Sequence, residues 1–99
     1  MSSLQKLQNW YLSECNGDWE HSFGVHIETL DNPGWLIKID LEETSLLGKE
    51  FKEHSYGLEA EDEHPEWVHC KVDGGKFIGG GGPLKLEEII DIFLAWARA

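Results

Sequence analysis

The chain is poor in cysteine, in proline and in positive charge. Two cysteines in 99 residues, Cys15 and Cys70, leave no room for the several disulfides that small secreted domains carry, and they point to a reducing compartment, the cytoplasm. Eight Lys and Arg stand against 19 Asp and Glu, a net charge of −11. Nucleic-acid binding needs clustered cations, so direct contact with nucleic acid is not expected, nor is attachment to an anionic membrane. No window approaches the roughly 18 apolar residues of a spanning helix. Met1–Trp10 has neither a basic start nor a continuous apolar stretch, so no signal peptide is expected. There is no internal repeat and no Pro/Gly/Ser linker, which leaves a single domain over residues 1–99.

What the chain does have is apolar and aromatic substance. The hydrophobic fraction is 40%, the aromatic fraction is 11%, and there are five tryptophans. Disordered acidic tails lack such residues, so a folded core is expected. Leu4, Leu7 and Tyr11 recur at helical spacing and predict a helix over Ser3–Cys15, stopped by Asn16-Gly17. Alternation predicts a strand over His21–Leu30, with Phe23, Val25 and Ile27 on one face. The turn Asp31-Asn32-Pro33-Gly34 then leads to a second strand through Trp35, Ile37, Ile39 and Leu41, completing a hairpin. Leu46-Leu47-Gly48 reads as a turn, Lys49–Tyr56 as a short strand around Phe51, and Gly57–Glu66 as a loop. Trp67–Val72 alternates, Asp73-Gly74-Gly75 turns, and Lys76–Gly79 forms a short partner strand that Gly79–Gly82 breaks.

A last helix is predicted from Leu84 to Arg98, with Pro83 suited to its first turn. Its stripe of Leu86, Ile89, Ile90, Phe93, Leu94 and Ala97 should pack on Phe23, Val25, Ile27, Ile37 and Ile39. The result is an α+β domain. It is an antiparallel sheet of about four strands built from two hairpins, with N-terminal and C-terminal helices on one face.

Catalytic patterns are sparse. His21, His26, His54, His64 and His69 form no H-x-x-x-H pair, and there is no C-x-x-C, so no metal is expected. His69 and Cys70 are strand neighbours facing opposite sides. Cys70 lies between Val68 and Val72 and reads as a small buried hydrophobe rather than a nucleophile. The run Gly79–Gly82 lacks the lysine and hydroxyl of a phosphate loop. No catalytic residue and no cofactor is assigned. A small thiol-dependent enzyme using Cys70, or an interaction adaptor, stand as the alternatives to the reading below.

Charge, by contrast, is focused. From Glu42 to Glu66 nine carboxylates face Lys49 and Lys52, a net −7. Within Glu59–Glu66 there are five acids and no base: Glu59, Glu61, Asp62, Glu63 and Glu66, next to Trp67. Focused charge of this kind steers a basic protein partner and rejects wrong ones. If Val68, Cys70 and Val72 face the core, Trp67 faces outward, where an aromatic anchors an interface. The turn Asp18-Trp19-Glu20 has two readings. It is a second contact patch, or Trp19 folds back on the core while Asp18 caps a turn; the second fits the usual habit of turn aspartates.

Several runs together resemble a known family. They are Leu4-Gln5-Lys6-Leu7-Gln8-Asn9-Trp10-Tyr11, Cys15-Asn16-Gly17-Asp18-Trp19-Glu20-His21, Gly24-Val25, Thr29-Leu30-Asp31-Asn32-Pro33-Gly34-Trp35, Trp67-Val68-His69-Cys70-Lys71-Val72, Phe77-Ile78-Gly79 and Leu86-Glu87-Glu88-Ile89. In this order they resemble the immunity protein 53 family of bacterial polymorphic toxin systems. The resemblance implies a cytoplasmic, non-enzymatic protein that binds the C-terminal domain of a cognate secreted toxin. Many such toxins are nucleases with basic active faces, which an acidic inhibitor can cover by occlusion. The resemblance assigns no contact residues; those proposed above come from charge and alternation alone.

Overall fold

The computed structural model describes residues 1–58 and 66–99. Helix α1 (Ser3–Glu14) begins where Ser2 closes a capping box. The Ser2 hydroxyl accepts from the Gln5 N–H at 3.1 Å, and the Ser2 N–H donates to Gln5 Oε1 at 2.9 Å. Its packing stripe differs from the one read in the sequence. Leu7 is buried and Trp10 half-buried, while Leu4, Tyr11 and Leu12 remain exposed. The helix docks along a narrow line because its main neighbour is another helix, α3 (Leu86–Arg98), rather than a broad sheet surface.

A short helix α2 (Trp19–Ser22) occupies the start of the segment read as strand, and β1 (Val25–Leu30) begins four residues later than expected. The Phe23 N–H donates to the Trp19 carbonyl at 2.9 Å, and the helical turn delivers the indole of Trp19 to the core. β1 then pairs with β2 (Gly34–Asp40) in the register Ile27↔Ile37. The next strands are β3 (His54–Tyr56), β4 (Val68–Asp73) and β5 (Lys76–Gly81). Among the described residues they form one antiparallel sheet in the order β1-β2-β5-β4-β3. There are five strands instead of about four. Phe51, the expected centre of the extra strand, lies before it and packs edge-on against Phe77 and Trp96, at 5.6 and 5.2 Å between ring centres.

The two hairpins join through β2 and β5, so β5 is an interior strand flanked by β2 and β4. It runs through the glycines that were expected to break it. A Cβ at Gly79 would stand 2.5 Å from Ile89 Cγ2 and 3.1 Å from Phe77 Cε2. Glycine is there because α3 lies directly on that strand, and the ladder supplies the order that a lone glycine run lacks. Pro83 and Leu84 stay outside α3, which starts at Leu86; the Pro83 carbonyl accepts the Trp35 indole N–H at 2.9 Å. Glu87 and Glu88 in the first turn of α3 and Arg98 in its last suit the helix dipole. Lys49 Nζ donates to the carbonyls of Trp96 and Ala99 at 2.7 and 2.8 Å and closes the C-terminal end.

The stripe on α3 is as read: Ile89, Ile90, Phe93 and Leu94 are buried. Its platform is different. The helix lies over β5 and β4, onto Phe77, Cys70 and Val68, with Ile37 and Ile39 beside them. Phe23 packs on Trp19 instead, and Ile27 is 40% exposed on the edge strand. The sheet therefore has one face under α1 and α3. Over its other face, no helix is laid among the described residues.

Candidate partner-binding surface

Alternation along the central strand sorts side chains between these two faces. Gly79 and Gly81 point at Ile89 of α3, so Gly80 points to the open face. A Cβ at Gly80 would stand 3.4 Å from Cη2 of Trp67. The Trp67 ring thus lies across Gly80 on the open face, half-buried, while Val68 and Cys70 are buried under α3. The outward direction expected for Trp67 is what the chain adopts. Gly57 lets the backbone of β3's end approach closely here: φ is +76°, and a Cβ there would collide with the Glu66 carbonyl and the Trp67 backbone.

Glu66, next to Trp67, is tied to the start of α3. Lys85 Nζ sits 2.8 Å from Glu66 Oε1 and 3.6 Å from Glu88 Oε1, and 5.7 Å from the centre of the Tyr56 ring. The Tyr56 hydroxyl donates to Glu88 Oε2 at 2.6 Å. The Lys85 pKa is pushed above its ordinary value by its hydrogen bonds to Glu66 and Tyr56, and that of Tyr56 is raised by Glu88. Glu66 therefore shares its charge with a lysine as well as facing solvent. Glu59, Glu61, Asp62 and Glu63 lie outside the described residues.

The second expected patch is corrected in part. Trp19 is 1% exposed, its ring packed among Trp10, Tyr11 and Phe23, and its indole N–H donates to the Glu42 carbonyl at 2.8 Å. An aromatic so enclosed presents nothing to a partner. Glu20 accepts the N–H groups of Asn16 and Gly17 at 2.9 and 2.8 Å. Its pKa is lowered by its own backbone N–H first and then by those two. The cap of this turn is Asn16, whose Oδ1 accepts from Asp18 and Trp19, both at 2.9 Å; Asp18 caps nothing and stays exposed.

Cys70 is fully buried, and burial, with the charge of Glu88 adding to it, pushes its thiol up to about 12. Burial and the raised pKa both disfavour the thiolate that a Cys70 nucleophile needs. No group of three or more His, Cys, Asp or Glu is placed to share a metal ion among the described residues. None of the described helices is long and apolar enough to cross a membrane.

The profile of immunity protein 53 matches residues 4–98. The chain belongs to the immunity protein 53 family. No curated protein and no solved structure compared with this immunity protein matches it significantly. Family membership implies a toxin as the protein partner, so the surfaces that matter are those a folded protein can reach. One such surface was missed in the sequence. On the open face Lys38 and Lys71 both stand directly opposite Ile78. Alternation places each lysine outward, but only the pairing of β2 and β4 with β5 brings the two together.

Proposed function

We infer that this immunity protein neutralises a basic toxin domain in the producing cell's cytoplasm by occluding its active face. A nuclease face, built to bind phosphate, is the chemistry its charge fits. The observation that carries the reading is the concentration of five acids in Glu59–Glu66 beside Trp67, a half-buried aromatic on a face over which no helix is laid among the described residues. Solubility alone requires only scattered charge. Glu59, Glu61, Asp62, Glu63 and Glu66 steer the encounter, and Trp67 anchors the complex. Asp18 adds charge at a second, separate turn.

The test is binding to the C-terminal domain of the cognate toxin, followed at several salt concentrations. Replacing Glu61, Asp62 and Glu63 by Gln, Asn and Gln slows association and flattens its salt dependence. Trp67→Ala leaves association nearly unchanged and speeds dissociation, at a cost of about 2 kcal/mol or more. Unchanged association in the triple variant overturns the acidic docking surface. A wild-type chain that neither binds nor protects against that domain overturns the reading as a whole.

A further inference from the structure

The open sheet face carries two lysines, Lys38 and Lys71, in its central row. Side chains facing one another across adjacent strands share a face. The central strand offers Ile78, with Lys38 of β2 and Lys71 of β4 on either side of it. The next row holds Leu36, Gly80 and His69, with the Trp67 ring over the glycine. Leu36, Ile78 and Trp67 are all half-buried and form an apolar strip along the middle of the face.

The carboxylates around that strip have other partners or stand at its edge. Asp40 is engaged by Lys76, by the Gly24 N–H and, at 3.8 Å, by His26. Glu53 is engaged by His69 at 2.6 Å. Glu28 and Asp73 are exposed at the margins of the face. Lys38 and Lys71 pair with no carboxylate among the described residues, in a chain where acids outnumber bases 19 to 8. Two cations with no carboxylate partner among the described residues, bracketing an apolar strip, form a recognition pattern: a hydrophobic centre for contact and charges that fix orientation.

We propose that this face, Trp67–Leu36–Ile78 bracketed by Lys38 and Lys71, docks a toxin surface that presents an apolar group flanked by carboxylates. It rests on the immunity reading and deepens it. The interface has two signs, with the acidic run steering the basic part of the toxin while Lys38 and Lys71 hold an acidic part. The occupant's chemistry follows from charge complementarity: carboxylates are the protein groups that pair best with Lys38 and Lys71, which have no carboxylate partner among the described residues.

The proposal and simple acidic steering predict opposite signs. Lys38→Glu/Lys71→Glu takes the net charge from −11 to −15. Steering alone makes that variant associate faster with a basic toxin. Docking through the two lysines weakens it at least tenfold, mostly through faster dissociation. Lys38→Gln/Lys71→Gln gives a smaller loss in the same direction. Lys6→Glu/Arg98→Glu carries the same −15 on the helix side and binds no more weakly than wild type. Binding is measured against the C-terminal domain of the cognate toxin, with thermal melting and light scattering of each variant alone. Wild-type binding tests the immunity reading, and the ratio of variant to wild type tests the face. Undiminished binding of Lys38→Glu/Lys71→Glu overturns the proposal. So does a melting temperature that falls by more than about 5 °C, which would mean the face is covered within the chain itself. So does a dimer of the wild type that the same substitution dissolves, which would give the face to a second copy.

Discussion

Gly79→Ala and Gly80→Ala are chemically the same change at adjacent positions of β5, and they should move stability in different directions. At Gly79 the new methyl group points under α3. It would lie 2.5 Å from Ile89 Cγ2, 3.1 Å from Phe77 Cε2 and 3.4 Å from Cys70 Sγ. All three partners are fully buried, so none can swing into solvent. Forcing a methyl into such a site costs about 1–3 kcal/mol. Restricting the unfolded chain returns about 0.4–1 kcal/mol. The net is a loss of about 1–2 kcal/mol, which for a domain of this size lowers the melting temperature by roughly 5–15 °C. At Gly80 the methyl would meet Trp67 ring carbons at 3.4 and 3.5 Å, ordinary contact on an open face. Only the unfolded-state effect then remains, and stability is unchanged or rises by up to about 1 kcal/mol. Urea unfolding followed by tryptophan fluorescence, with a thermal melt by circular dichroism, separates the two. If Gly80→Ala is the more damaging, α3 does not lie on the face that Gly79 presents, and the layer assignment fails.

Three further outcomes follow from the same contacts. Phe93 is fully buried against Trp10, Phe77 and Trp96, so Phe93→Ala should cost about 3–5 kcal/mol in chemical denaturation, and a loss under about 1 kcal/mol would make α3 peripheral. Trp19→Ala should cost a similar amount, since it empties a buried aromatic site and leaves the Glu42 carbonyl without the indole N–H, yet the folded variant should bind the toxin domain as wild type does. Asp40 gives a pH dependence. Its burial alone would raise its pKa, but the hydrogen bonds from Lys76 and the Gly24 N–H and the charges of Lys76 and His26 outweigh that and hold it below the ordinary value. The folded state therefore binds fewer protons than the unfolded one. The resulting stability is complete above the ordinary aspartate pKa of about 4 and is lost as pH falls below it. Asp40→Asn should lower stability at neutral pH by about 1.5–3 kcal/mol and flatten the decline measured between about pH 5 and pH 2.

The sequence by itself determined whatever depends on neighbours a few residues apart. The stripe from Ile89 to Leu94, the hairpin around Asp31–Gly34, the turn at Gly74-Gly75 and the inward alternation of Val68 and Cys70 are local patterns, and a period of 3.6 or 2 is visible in any single segment. The same alternation was enough to send Trp67 outward. Tertiary structure decided the rest, because each remaining question concerned partners far apart in the chain. A glycine run reads equally as a break or as a strand pressed by a helix, and only Ile89 against Gly79 tells which. Trp19 sits in a polar turn, and its burial needs Trp10 from one side and the Glu42 carbonyl from another. Lys38 and Lys71 are 33 positions apart in sequence, and nothing local sets the register that aligns both with Ile78. Alternation assigns a residue to a face, but only the pairing of strands assigns it a neighbour, and a binding surface is made of neighbours.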